Sequence, residues 1–179
     1  MADPGTSLGG EGITAVQVRP EHWVRGDYQP IAWLRWSAAD IERRMNVRFM
    51  EDVEDQWGPF RGAGFEMASG RRFGLTEYVK GPGEPCLEVT CLHDEHFGSD
   101  LEDVLESLDM DLSDLAKRET GLAINPEVRL TSSALWRQDD SGVRALVEVF
   151  PCRASASKRM RAFELAGHKQ TYWIERHGA

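Results

Sequence analysis

The chain has 179 residues and a mass of 20.2 kDa, is 41% hydrophobic and 28% charged, and has a mean hydropathy of -0.46. That balance describes one ordinary soluble domain, and a chain of this size buries about 70% of its unfolded surface without staples. No apolar run approaches the roughly 20 residues of a membrane span, and residues 1–10 lack the basic and apolar regions of a secretory signal, so membrane and exported classes are set aside.

Cys86, Cys91 and Cys152 are odd in number and too sparse for a disulfide framework, which makes a reduced, cytoplasmic protein the expectation. The net charge of -9 is unevenly placed. From His93 to Leu115 nine acidic residues occur with no Lys or Arg, so the rest of the chain sums to zero. From Arg129 onward nine basic residues face five acidic ones. A field divided in this way steers charged partners and says little about fold.

Residues 1–12 are Gly-rich and polar and read as a flexible tail, leaving 13–179 as a single domain without internal repeats. Ile13–Val18 reads as a short strand. Trp23, Trp33 and Trp36, interrupted by Pro20 and Pro30, read as a loop laid over the core. Ser37 and Asp40 form a capping box for an amphipathic helix that carries Ala38, Ile41 and Met45 on one side. Glu51–Pro59 reads as an acidic loop. Alternating apolar residues on either side of Ser69-Gly70, with a restart at Leu87 after Gly81-Pro82-Gly83, predict a three-stranded antiparallel meander over 63–92.

Ser99 and Glu102 have capping-box spacing, and Leu101, Val104, Leu105, Leu108, Leu112 and Leu115 follow at helical intervals. Asp100, Glu102 and Asp103 suit a first helical turn, where the macrodipole favours negative charge. Val128–Trp136 and Val143–Phe150 flank Asp139–Gly142 as a second hairpin. Ala156, Met160 and Phe163 mark a helix that stops at Gly167, and Thr171–Ile174 reads as a final strand. The segment Leu146–Phe150, its helix and Gly167-His168 resemble the SPOR-type strand–helix–strand unit over about thirty residues on generic apolar spacing. No function is taken from that likeness. The resulting expectation is an α+β domain, a largely antiparallel sheet of about seven strands with three or four helices packed on it.

Cys91, His93 and His96 are the compact set of residue types that zinc prefers, with Cys86 nearby. On a regular strand Cys86 and Cys91 point to opposite faces, and neither spacing matches paired zinc knuckles, so no metal and no cofactor is expected. Cys91 with His93 as base lacks an orienting acid. His168 beside a Gly cap fits the negative end of a helix dipole. Phosphate-binding loops, dinucleotide fingerprints, nucleophile elbows and H-E-x-x-H are not found. Arg153, Lys158, Arg159 and Arg161 form a basic cluster, yet a pI near 5.1 is the wrong field for nucleic acid.

The leading expectation is therefore a non-enzymatic module that docks a basic protein on an acidic helix face, by composition of the kind that bacterial immunity or antitoxin proteins represent. Asp103, Glu106, Asp109, Asp111 and Asp114 would form the partner-binding face, with Glu51, Asp52, Glu54 and Asp55 as a second patch. The alternatives are a small metal-dependent enzyme or ligand-binding domain near Cys91, His93 and His96, and a structural homo-oligomer subunit. In a homodimer the basic cluster would meet the acidic helix of another copy.

Overall fold

The computed structural model describes residues 14–18, 28–54, 58–78, 86–118 and 121–178. The tail over 1–12 and the readings placed on Ile13, Trp23, Asp55 and Gly81-Pro82-Gly83 lie outside these residues. The architecture is α+β and mainly antiparallel.

Strand β1 (Val16–Val18), β2 (Tyr28–Leu34), β3 (Met50–Glu54), β4 (Gly58–Glu66), β5 (Arg72–Tyr78) and β6 (Leu87–Leu92) build the main sheet. The order is β1-β4-β5-β6-β2, with β3 paired to the part of β4 that β1 leaves open. The β4–β5 hairpin turns through Gly70, whose φ of 81° is the left-handed conformation that glycine adopts without a Cβ penalty.

Two helices cover one face of this sheet. Helix α1 (Ala38–Met45) starts with the expected box, as Ser37 and Asp40 satisfy each other's backbone amides, and it buries Ala38, Ile41 and Met45. Helix α2 is Asp100–Ser107. Between sheet and helices lie Phe65 stacked on Phe73 at 5.1 Å, with Leu75, Val89, Leu101 and Leu105 fully buried. Truncating one of these leucines to alanine costs about 2–5 kcal/mol, because the cavity left behind collapses only in part.

After a short hairpin, β7 (Lys117–Arg118) with β8 (Gly121–Leu122), the chain makes a second layer pair. Here β9 (Ser133–Gln138) lies between β10 (Arg144–Phe150) and β11 (Thr171–Arg176), both antiparallel to it, and α3 (Arg153–Leu165) links the outer strands. Gly167 follows α3 at φ 73°, as a C-terminal glycine stop requires.

Four local readings are corrected. Trp33 is within β2 rather than a loop, and Pro30 is tolerated because β2 is an edge strand with a bulge between Pro30 and Ala32. Glu51 and its neighbours form β3 rather than a loop. The helix after Ser99 ends at Ser107 because Asp109 turns left-handed at φ 54°, and Leu112–Asp114 restarts as a separate 3-10 turn capped by Asp111. Ser99 and Glu102 form no capping box. Ser99 sits in the helical region, its hydroxyl donates to the His96 carbonyl at 2.8 Å, and Glu102 faces elsewhere.

Candidate interaction site

Eight of the nine acidic residues between His93 and Leu115 face two ways, and Glu95 is exposed beside His96. At the start of the run, Arg71 holds Asp94 and Asp100 together, at 2.9 and 2.6 Å. Its hydrogen bonds hold the Asp94 carboxyl at about 2, below the ordinary 3.8. Asp100 shifts the other way, upward, because burial outweighs the same arginine.

From Glu102 onward the partner is α3. Glu102 is 6% exposed and accepts two backbone amides from other elements, Thr131 N at 2.5 Å and Arg153 N at 2.9 Å. It thus caps α3, whose own N-cap, Cys152, makes no side-chain cap bond. The five carboxylates expected to form a docking face are met in the same way. Arg153 pairs with Asp103 and, at 2.9 Å, with Glu106, while the Ser157 hydroxyl donates to Glu106 at 2.5 Å. Lys158 lies 3.4 Å from Asp111 and 3.2 Å from Asp114. Arg161 pairs with Asp109 at 2.5 Å, and Arg44 of α1 donates to the Asp109 carbonyl at 2.9 Å. Asp114 is 2% exposed and also accepts from the Trp36 indole at 3.2 Å.

The basic cluster and the acidic helix, both visible in the sequence, therefore meet within one chain. Arg159 of that cluster instead lies 4.5 Å over the Phe163 ring.

The second acidic patch is different. Glu51, Asp52 and Val53 are exposed on β3, with Val53 at 68% and Met50 at 42%. Asp52 accepts only the amide of Val53, at 2.8 Å. Among the described residues neither Glu51 nor Asp52 has an ion pair, and β3 pairs with β4 alone, so its other edge carries unpaired backbone groups. Arg61, the residue opposite Glu51, is turned to Glu42 at 2.9 Å and Glu77 at 3.9 Å.

The Cys and His set does not converge. Cys91 is fully buried in the core, and burial pushes its thiol well above the ordinary range. His93 turns to Glu127 at 3.2 Å and packs on Phe97, whereas His96 lies 3.5 Å from Glu95. Among the described residues no three His, Cys, Asp or Glu side chains gather in a way that could hold a metal. His168 packs edge-on to Phe163 at the end of α3. Among the described residues no helix is long and apolar enough to cross a membrane.

No protein-family model, curated protein or solved structure matches the chain.

Sequence reasoning gave β3 only as a loop and so missed its open edge. Its signal was weak, because a strand exposed on both faces shows no apolar alternation.

Proposed function

We propose that the protein is a non-enzymatic binding module that captures a basic segment of a partner protein along the outer edge of β3. The observation that carries this reading is the contrast between the two acidic surfaces. Each of the five carboxylates from Asp103 to Asp114 has a cation of the same chain, whereas Glu51 and Asp52 are exposed and have none among the described residues.

An open strand edge supplies main-chain donors and acceptors for an added strand, and the side chains choose which strand is added. β3 reads Met50-Glu51-Asp52-Val53-Glu54, three acids in five residues. A second copy laid against it would bring like charges face to face, which is unfavourable. A strand rich in Lys or Arg meets opposite charge instead, with Met50 and Val53 providing apolar contact. Because these charges are exposed, the attraction acts mainly on the association rate and weakens as salt shortens the Debye length.

The test is fluorescence anisotropy with a labelled arginine-rich peptide from about 50 mM to about 0.5 M salt. Saturable binding that weakens with salt, and that the double variant E51Q/D52N loses by at least about tenfold, is the expected result. Equal binding by parent and variant would remove the proposal.

A further inference from the structure

Three cations of the basic cluster on α3 are taken up by the acidic run, since Arg153, Lys158 and Arg161 each meet carboxylates of the same chain. Arg159 is different. Its side chain is exposed, no carboxylate faces it among the described residues, and its guanidinium lies 4.5 Å over the ring of Phe163, one helical turn further on. A guanidinium laid on a ring face keeps its in-plane N–H donors free, and that fork matches the two oxygens of a carboxylate.

Arg159 borders a cleft of about 440 Å³ between α3 and the end of β10. Small-molecule sites commonly measure about 300–1,000 Å³. Local sequence explains how this one arises. Pro151 has no amide hydrogen and follows the last residue of β10, and the chain reverses through Cys152 into α3, which leaves Phe150 beside that helix. Positions 155, 158, 159 and 162 have the i, i+3, i+4, i+7 spacing of a single helix face, so Ser155, Lys158, Arg159 and Ala162 line one side of the cleft together.

The chemistry of the walls is unequal. Phe150, Pro151 and Ala162 supply apolar surface. Asp111, at the rim, is already met by Lys158 at 3.4 Å and by the Ser113 hydroxyl, which donates to it at 2.6 Å. That leaves Arg159 as the charge of the cleft without an opposite. The Ser155 hydroxyl, one turn before it, has only the Cys152 sulfur at 3.3 Å. Sulfur is a weak hydrogen-bond partner, so an anionic oxygen competes for Ser155 with advantage.

We infer that this cleft binds a small aromatic monocarboxylate, its ring on Phe150 and Pro151 and its carboxylate on Arg159 and the Ser155 hydroxyl. The ring follows from the two flat apolar surfaces, and the single negative charge from the one unmet cation, because a dianion would also be repelled by Asp111. The site is separate from the outer edge of β3 and selects the opposite charge, so either reading can fail without the other.

Isothermal titration calorimetry of the full chain with 2-naphthoate, and with the uncharged 2-naphthamide of nearly the same shape, tests the inference. Naphthoate is expected to saturate one site with a Kd below about 1 mM, with naphthamide at least about tenfold weaker and Arg159→Gln reducing naphthoate to the naphthamide level. Ala162 is exposed on α3 and leucine is a good helix former, so Ala162→Leu is expected to fill the cleft and lose naphthoate at an unchanged melting temperature. The inference is overturned by the absence of saturable naphthoate binding in the parent, by equal affinity for the acid and the amide, or by parent-like naphthoate binding in either Arg159→Gln or Ala162→Leu.

Discussion

Replacing Glu102 with alanine removes an acceptor that two separate elements depend on. Thr131 N and Arg153 N donate to its two oxygens at 2.5 and 2.9 Å, and the side chain is 6% exposed. Leaving a buried donor unsatisfied costs about 1–3 kcal/mol, so two such donors give about 2–6 kcal/mol. A domain's total stability is about 5–15 kcal/mol, which makes this a large fraction of it. At about 2–4 °C per kcal/mol for chains of this length, a loss near 3 kcal/mol lowers the melting temperature by about 6–12 °C. Glu102→Gln keeps one acceptor and turns an amide donor toward the other site, so it should lose roughly half as much. Urea unfolding gives the free energies, and hydrogen exchange at the Thr131 and Arg153 amides localises the effect. If Glu102→Ala stayed within about 0.5 kcal/mol of the parent with both amides still protected, the assignment of Glu102 as the cap that ties α2 to α3 would be refuted.

Further outcomes follow from the same contacts. A Cβ at Gly98 would lie 2.8 Å from the backbone carbonyl of Glu127, so Gly98→Ala should cost about 1–3 kcal/mol in urea unfolding, and an unchanged midpoint would contradict that. Asp94 titrates at about 2 in the fold against an ordinary 3.8, chiefly through its hydrogen bonds from Arg71. With the folded value depressed, its stabilisation is complete above 3.8 and is lost as pH falls through about 2, so Asp94→Asn should flatten that part of the acid-unfolding curve. Superimposable curves would show that the pair does not matter. Arg153→Gln with Lys158→Gln removes the cations that face Asp103, Glu106 and Asp111, and leaves Asp114 only Arg35 at 3.8 Å. Such partly exposed pairs are each worth about 0–1 kcal/mol, and the freed carboxylates then repel, so added salt should stabilise the variant more than the parent.

Where local chemistry decides, the sequence was readable. The Ser37–Asp40 box, the turn at Ser69-Gly70 and the stop at Gly167 all appear where their residues require, because caps and left-handed turns depend on neighbours along the chain. Ser99 and Glu102 have the spacing of a box without its geometry. Glu102 serves a helix that starts 51 residues later, and nothing local records that. The leucine spacing through Leu115 likewise hid the break at Asp109, since Leu108 and Leu115 are buried on both sides of it.

The candidate site divides along the same line. Both charged clusters were legible as composition, but whether Asp103 and Arg153 meet in one chain or across two depends on tertiary placement, which charge counting does not supply. β3 escaped because exposure on both faces erases the period-two signal.

The most direct test of the central claim, that the free acidic edge and not the acidic helix takes the basic partner, is a backbone-resolved NMR titration of the full chain with the arginine-rich peptide. The account predicts shift changes that saturate and concentrate at Met50–Glu54 and the adjoining part of β4, with Asp103–Asp114 unmoved. Changes centred on Asp103–Asp114, with α3 displaced and β3 silent, would contradict it.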